Sequence, residues 1–125
     1  MKKGRTPLQE ASAEGRLVDV VTLLSQDTDV AAADDSGFTA LHFACQQGSY
    51  EIAQALLEAG TQVNVKDSWG NTPLWKSVFA FQDDPRLIRL LLDHGANPDL
   101  ANKSGRTARQ MAAKLDRPGM RFLFK

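Results

Sequence analysis

The sequence contains few of the residues on which catalytic, metal-binding and secreted proteins depend. It has two histidines and a single cysteine, Cys45, so no internal disulfide can form and folding does not depend on an oxidising compartment. No apolar run approaches the roughly 18 residues that span a membrane. Lys2 and Lys3 are not followed by an apolar stretch, so no signal peptide is predicted, although a chain whose leader had been removed would look the same. We expect a cytoplasmic protein.

The sequence also lacks a net charge, because its 15 basic and 15 acidic residues balance. That balance argues against attraction of the whole molecule to nucleic acid or to an anionic membrane. The charges are unevenly distributed: residues 6–62 hold nine acids and one base, whereas residues 101–125 hold seven bases and one acid. With 125 residues, 42% of them hydrophobic, the chain is predicted to form one globular domain over residues 1–125.

What the sequence does contain is an internal repeat. Four stretches align, and they read GRTPLQEA from Gly4, GFTALHFA from Gly37, GNTPLWKS from Gly70 and GRTARQMA from Gly105. The glycines are 33, 33 and 35 residues apart. A fixed period of this length is typical of a solenoid built from one small structural unit.

Each unit is predicted to form two helices joined by a turn. Thr39 and Thr72 are placed to cap the first helix, and Pro73 follows at a position where a missing N–H costs nothing. Gly48 is expected to end the first helix and Gly60 the second. The second helix has apolar residues at three- and four-residue spacing, namely Ile52, Ala53, Leu56 and Leu57, then Leu87, Ile88, Leu91 and Leu92.

These stretches resemble the ankyrin repeat, whose pattern runs from a glycine through Thr-Pro-Leu-His to a helix pair ending in Leu-Leu and Gly-Ala. The match is close in GFTALHFACQQG and LLEAGTQVN, and again in GNTPLW and LLLDHGANPD. The resemblance extends from Gly4 to about Arg117. It implies an all-α solenoid of stacked helix-turn-helix units joined by β-hairpin-like loops. The repeats would cover about 1–33 as N-terminal cap, 34–66, 67–101, and 102–125 as C-terminal cap.

The third and fourth repeats depart from that pattern. Trp75 replaces the family's histidine, Phe81 lies in the region of its glycine, and two extra residues fall within AFQDDP. Asp84 is interpreted as a new N-cap for the following helix, and Phe81 as cover for the space that the insertion opens. The tail GMRFLFK is expected to close the last helix, because leaving two phenylalanines in water would be costly.

No group of residues is spaced for catalysis, a metal or a cofactor. His42 is interpreted as a structural residue bonded within the Thr39 turn or to the next loop, and His94 as favourable to a helix C-terminus. Cys45 is expected in the core rather than as a reactive thiol. Asp83, beside Asp84, is expected to face solvent. The sequence therefore predicts neither an enzyme nor a metal site.

The ankyrin resemblance implies binding of another protein on a concave surface made of loop tips and first-helix faces. Carried over by position, this surface comprises Asp35, Phe38, Gln46, Lys66, Ser68, Trp69, Asn71, Phe79, Lys103 and Arg106. Arg5 and Glu14 would extend it into the first repeat. The third repeat stands out for its aromatic residues, and Trp69 is the strongest candidate because tryptophan is enriched at interface hot spots. Trp75 is expected to be structural.

Three functions remain open from the sequence. The first is a dedicated inhibitor or immunity-type protein for one partner, which a lone domain with a compact aromatic patch favours. The second is a generic adaptor or scaffold. The third, less favoured, is nucleic-acid binding through the basic C-terminal end. If the acidic loop tips and the basic end share one groove, the partner would be bipolar; alternatively, the basic residues only solvate an end cap. A monomer is expected.

Overall fold

The computed structural model describes residues 5–80, 84–117 and 120–124. These contain seven α-helices and one short 3-10 helix, with no strand among the described residues. The helices are α1 Pro7–Ala13, α2 Leu17–Leu24, α3 Ala40–Gln47, α4 Tyr50–Glu58, α5 Pro73–Ala80, α6 Arg86–Asp93 and α7 Ala108–Leu115, followed by the 3-10 helix Arg121–Phe124. The predicted all-α solenoid is confirmed.

The helices form two layers. In the inner layer α3 lies between α1 and α5, and α5 also contacts α7, while in the outer layer α4 lies between α2 and α6. The inner helices α1, α3 and α5 each pack against the outer helix that follows in the same repeat, and α7 contacts the 3-10 helix. The inner helices approach closely because small residues face their neighbours: Ala11, Ala40, Ala44 and Cys45 are all almost fully buried.

Threonine caps begin the inner helices, as predicted. The Thr39 side chain accepts the N–H of His42, and the Thr72 side chain accepts the N–H of Trp75 at 3.2 Å. Thr6 and Thr107 do the same at α1 and α7. Apolar residues of the outer helices complete one continuous core that includes Ile52, Leu56, Ile88 and Leu91.

The loops between repeats are tight turns built on one repeated device. In the first loop the carboxylate Oδ1 of Asp34 accepts the backbone N–H groups of both Ser36 and Phe38 at 2.9 Å. Asp67 and Asn102 make the corresponding pair of hydrogen bonds in the next two loops. Three loop tips of the same shape therefore project from the stack.

Two sequence predictions at the C-terminal side need correction. Asp84 is not the N-cap of α6: Pro85 holds that position, and Asp84 Oδ1 accepts the N–H of Arg86 at 3.0 Å from one residue further out. The tail closes the stack only in part, since Phe124 packs against the core but Phe122 is 71% exposed. Met120, which is fully buried, joins Phe124 in closing the core where Phe122 does not.

Candidate protein-binding surface

The three loop tips lie side by side and are hydrogen-bonded to each other. The backbone N–H of Ser68 donates to the carbonyl of Ser36 at 2.9 Å, and that of Lys103 donates to the carbonyl of Trp69 at 3.0 Å. We call residues 35–38, 68–71 and 103–106 the tip row. Because backbone bonds join neighbouring tips, the side chains of the tip row are held in a fixed order along one edge of the molecule.

An aromatic cluster of Phe38, Phe43 and Trp69 joins the first two tips. The ring of Phe38 meets Trp69 edge-on, with centroids 6.1 Å apart, and meets Phe43 in the same manner at 5.2 Å. Phe43 is buried, Phe38 is half-buried, and Trp69 is 55% exposed. Edge-to-face packing orients the indole while most of its surface stays open to a partner.

Two cations lie on this cluster. The Arg5 guanidinium lies 4.5 Å from the centre of the Phe43 ring, and the Lys76 ammonium lies 4.3 Å from the centre of the Phe38 ring. Lys76 is also 3.6 Å from Oδ2 of Asp67, whose side chain is fully buried. The cation–π contacts and the charge pairing together hold the Phe38 and Phe43 rings in one arrangement beneath Trp69.

Sequence reasoning missed that Phe43 and Lys76 support the candidate surface from below. Only their common position could be read from the sequence, because both residues stand six positions after the repeat glycine, in GFTALHF and GNTPLWK. Their shared register places them on corresponding turns of α3 and α5, beside the preceding loop tip. Arg5, to which the surface was predicted to extend, lies over the Phe43 ring, and its role in binding stays a prediction.

His42 is a structural link between two repeats, as predicted. Its Nδ1 accepts the backbone N–H of Thr39 at 3.1 Å, and its Nε2 lies 3.0 Å from the carbonyl of Asn71 in the next loop. Nδ1 is therefore the acceptor, and Nε2 carries the proton that it donates to Asn71. Burial lowers the pKa of His42, and the bond to the Asn71 carbonyl only partly opposes that shift.

Two of the predicted contact residues are used by the fold itself. The Lys66 ammonium donates to the carbonyl of Ala101 at 2.9 Å. The side chain of Asn71 accepts a hydrogen bond from Asn102 at 2.9 Å, and its carbonyl bonds to His42. The remaining predicted tip residues are exposed apart from half-buried Phe38: they are Asp35, Ser68, Trp69, Lys103 and Arg106.

Phe79 and Gln46 do not join the aromatic cluster. Phe79, 63% exposed, lies in the last turn of α5, at the opposite end of that helix from Trp69. There it lines an open cavity of about 790 Å³ together with Gln46. Trp75 packs partly buried against the core, and Phe81 lies outside the described residues. Among the described residues, the aromatic side chains of the third repeat thus form no single cluster, because Trp69 precedes α5 and Phe79 lies in its last turn.

Of the other residues considered for chemistry, Cys45 is buried in the core and Asp84 bonds within its own turn. Cys45 is fully buried, and burial raises the pKa of its thiol. A hydrogen bond from the backbone N–H of Arg86 lowers the pKa of Asp84, and Asp83 lies outside the described residues. Within the described ranges no three histidine, cysteine or carboxylate side chains are grouped to hold a metal. The helices described there are also too short and polar to cross a membrane.

Stacked helix pairs with hydrogen-bonded loop tips define a helical repeat solenoid. Comparison with family models assigns the type of repeat: a model of three ankyrin repeats matches residues 1–67, and a single ankyrin repeat matches residues 69–103. The chain belongs to the ankyrin-repeat family. Ankyrin repeats generally mediate protein–protein interactions, and the domain itself is a non-catalytic interaction module.

Curated relatives cover most of the chain but are much longer. Human BCL-6 corepressor-like protein 1 is 40% identical over 111 residues, which is 88% of this chain and 6% of that protein. A putative ankyrin repeat-containing protein of Treponema pallidum is 38% identical over 93% of this chain and 39% of its own length. Mouse protein phosphatase 1 regulatory subunit 12A is 38% identical over 62% of this chain and 7% of its own. The chain thus spans less than half of these relatives.

Proposed function

We propose that this chain binds a partner protein through the tip row and the adjoining faces of α3 and α5, with Trp69 as the central anchor. The observation that carries the proposal is the exposure of Trp69, at 55%, on a tip that the fold holds rigidly. A large aromatic side chain on a loop tip contributes little to the core. Tryptophan is also the residue type that most often dominates interface energies.

The surroundings of Trp69 support this role. Phe38 packs against the indole in a T-shaped arrangement, and the Lys76 ammonium lies over Phe38 at 4.3 Å. Asp67 accepts the backbone N–H of Trp69 at 2.9 Å, which fixes the backbone from which the indole projects. A partner would therefore lose little conformational entropy in ordering this anchor, and more of the contact energy would appear as affinity.

We further propose that the chain regulates one dedicated partner by covering a surface of it. The compact aromatic cluster, with charged tips on either side, supports a single tight contact. A related protein is by name a phosphatase regulatory subunit, and another is by name a corepressor-like protein. A scaffold that joins several proteins is the alternative. Nucleic-acid binding is less favoured, because Arg109 of the basic end pairs with Asp99 at 2.8 Å.

Quantitative capture from a lysate of the source organism tests the proposal. Wild-type protein, Trp69→Ala and Phe122→Ala are used as baits, and bound proteins are measured by mass spectrometry. We expect one stoichiometric partner on the wild type, lost on Trp69→Ala, with affinity for the purified partner reduced about 30-fold, or about 2 kcal/mol.

The Phe122→Ala bait is the matched control, since Phe122 is another exposed aromatic residue, at 71%, outside the tip row. It should retain the partner. The binding surface is wrong if Trp69→Ala, shown to be folded by circular dichroism, keeps the wild-type affinity. Several unrelated partners that all depend on Trp69 would favour the scaffold over the dedicated regulator.

A further inference from the structure

We propose that the partner contacts the tip row through a linear segment that carries a positive charge, an apolar side chain and a negative charge, in that order along the row. This inference rests on the proposed function and adds the chemistry of the partner. Two groups of charged side chains on and near the tip row support it. The first group has partners within the fold, and the second, among the described residues, has none and is available to a partner protein.

Several charged side chains near the row have structural partners. The carboxylates of Asp34 and Asp67 each accept two backbone N–H groups within their own turns. Asp99 forms an ion pair with Arg109 at 2.8 Å, and the hydrogen bond from Arg109 lowers the pKa of Asp99. Lys66 donates to a carbonyl of the neighbouring loop. These charged groups stabilise the loops and therefore contribute little to binding a partner.

Asp35, Lys103 and Arg106 are different. All three are exposed, and within the described residues none of their side chains makes a hydrogen bond or an ion pair. Asp35 lies on the first tip, whereas Lys103 and Arg106 lie on the third. The only other large exposed side chain of the row is Trp69, on the tip between them.

The order of these groups is fixed by the bonds between tips. Ser36 beside Asp35 bonds to Ser68, and Trp69 bonds to Lys103. The row therefore presents a carboxylate, then an indole flanked by Phe38, then two cations. Neighbouring helical units stack at about 10 Å, and an extended chain covers about 3.3 Å per residue. A complementary segment would thus place its three groups about three residues apart, in either chain direction.

Charge complementarity selects this occupant over a phosphate backbone. Lys103 and Arg106 alone would suit any anion, but a nucleic acid long enough to reach Trp69 would also approach Asp35, where like charges repel. A bipolar peptide is attracted at both ends. Because these charges lie at the rim of the anchor, they are expected to set the orientation of the partner and its association rate more than the total affinity.

Selection from a phage-displayed library of random linear peptides tests the proposal without knowledge of the natural partner. We expect the wild-type protein to enrich peptides with a lysine or arginine, an aromatic or large aliphatic residue, and an aspartate or glutamate at about three-residue spacing. The enriched peptide and a version with its charges exchanged are then measured by fluorescence anisotropy. Wild type should prefer the original peptide about tenfold.

The decisive variant combines Asp35→Lys, Lys103→Glu and Arg106→Glu, which should reverse that preference. Its matched control combines Glu58→Lys and Arg89→Glu, two exposed charges on α4 and α6, and should keep the wild-type preference. Circular dichroism confirms that each variant is folded. A reversal in the first variant alone supports the proposal.

The other outcomes overturn it in distinguishable ways. Peptides that lose binding with Trp69→Ala but show no charge order contradict the bipolar segment and leave the binding surface in place. Peptides whose binding survives Trp69→Ala contradict the proposed surface as well. A selection that enriches no peptide contradicts recognition of a linear segment. Retention of single-stranded DNA that depends on Lys103 and Arg106 would favour an anionic ligand instead.

Discussion

At the residue scale, the same polar contact begins three of the inner helices with two different side chains. In α3, His42 Nδ1 accepts the N–H of Thr39 at 3.1 Å. In α1 and α7, Gln9 and Gln110 accept the equivalent threonine N–H at 2.9 and 3.0 Å through their amide oxygens. Histidine and glutamine thus serve as interchangeable acceptors at this position, but only histidine can gain a proton there.

His42 should therefore make stability depend on pH. Burial lowers the pKa of His42 below 6.5. Just below pH 6.5 the histidine is therefore protonated in the unfolded chain but still neutral in the folded chain. Stability is lost as the pH falls below 6.5, by up to about 1.4 kcal/mol per pH unit. Urea unfolding at a series of pH values should show a steeper loss in the wild type than in His42→Gln, whose side chain is native to α1 and α7. Equal slopes would show that His42 protonates freely in the fold.

For individual residues, the sequence predicted some features of the candidate site and not others. The exposure of Trp69 and the burial of Cys45 followed from position in the repeat, because a loop tip projects from the stack and the inner helices bury small residues against each other. The contacts of Lys76 with Phe38 and Asp67 could not be deduced in this way. They depend on which side chains two successive repeats bring together, and the repeat pattern does not specify these variable positions.

At the scale of elements, the loop tips are packed closely enough to exclude a side chain. Gly70 has a φ of 80°, and a Cβ built there would lie 2.9 Å from the backbone nitrogen of Lys103. Gly105, with a φ of 77°, has open space at the corresponding position because no further tip follows it among the described residues. The two glycines share one backbone conformation and differ in their neighbours.

Comparing an alanine substitution at each of these two glycines isolates the contribution of tip packing to the free energy of unfolding. Gly105→Ala should cost about 1 kcal/mol, since alanine is strained in the left-handed region. Gly70→Ala should cost about 2 kcal/mol more, because its methyl group would also displace the next tip. Urea unfolding of both variants measures the difference. Equal losses would mean that the tips are not in close contact.

Helix positions were largely predictable, and the exceptions have local causes. Glycine and threonine signals placed most helices of the first three repeats because capping is a short-range property. The start of α6 was misplaced because Asp84 accepts the N–H of Arg86 from outside the cap position. The closing contact of Met120 was missed because a lone methionine in a tail carries no periodic signal.

At the scale of the whole molecule, one continuous apolar core connects all the repeats. Inner helices contact their neighbours from α1 to α7, so no repeat buries its apolar face alone. We expect a single cooperative unfolding transition. Far-ultraviolet circular dichroism, which reports all helices, and tryptophan fluorescence, which reports Trp69 and Trp75, should give the same urea midpoint. An earlier fluorescence transition would show that the third repeat unfolds separately.

The distribution of charge is also a property of the whole molecule. The excess of acids in residues 6–62 and of bases in residues 101–125 leaves the molecule neutral but electrically polar along the stack. Some of these charges are paired within the fold, and on the tip row we propose that exposed Asp35, Lys103 and Arg106 contact the partner. The ends of the solenoid thus differ in charge while the aromatic anchor lies between them.

The most direct test of the central claim, that the partner covers the tip row at Trp69, is an NMR titration of the two indole N–H signals. The sequence has two tryptophans, so Trp69→Phe assigns both signals at once. On addition of the captured partner, or of a selected peptide, we predict a large shift or loss of the Trp69 signal and little change at half-buried Trp75. A bound partner that leaves the Trp69 signal unchanged would contradict the account.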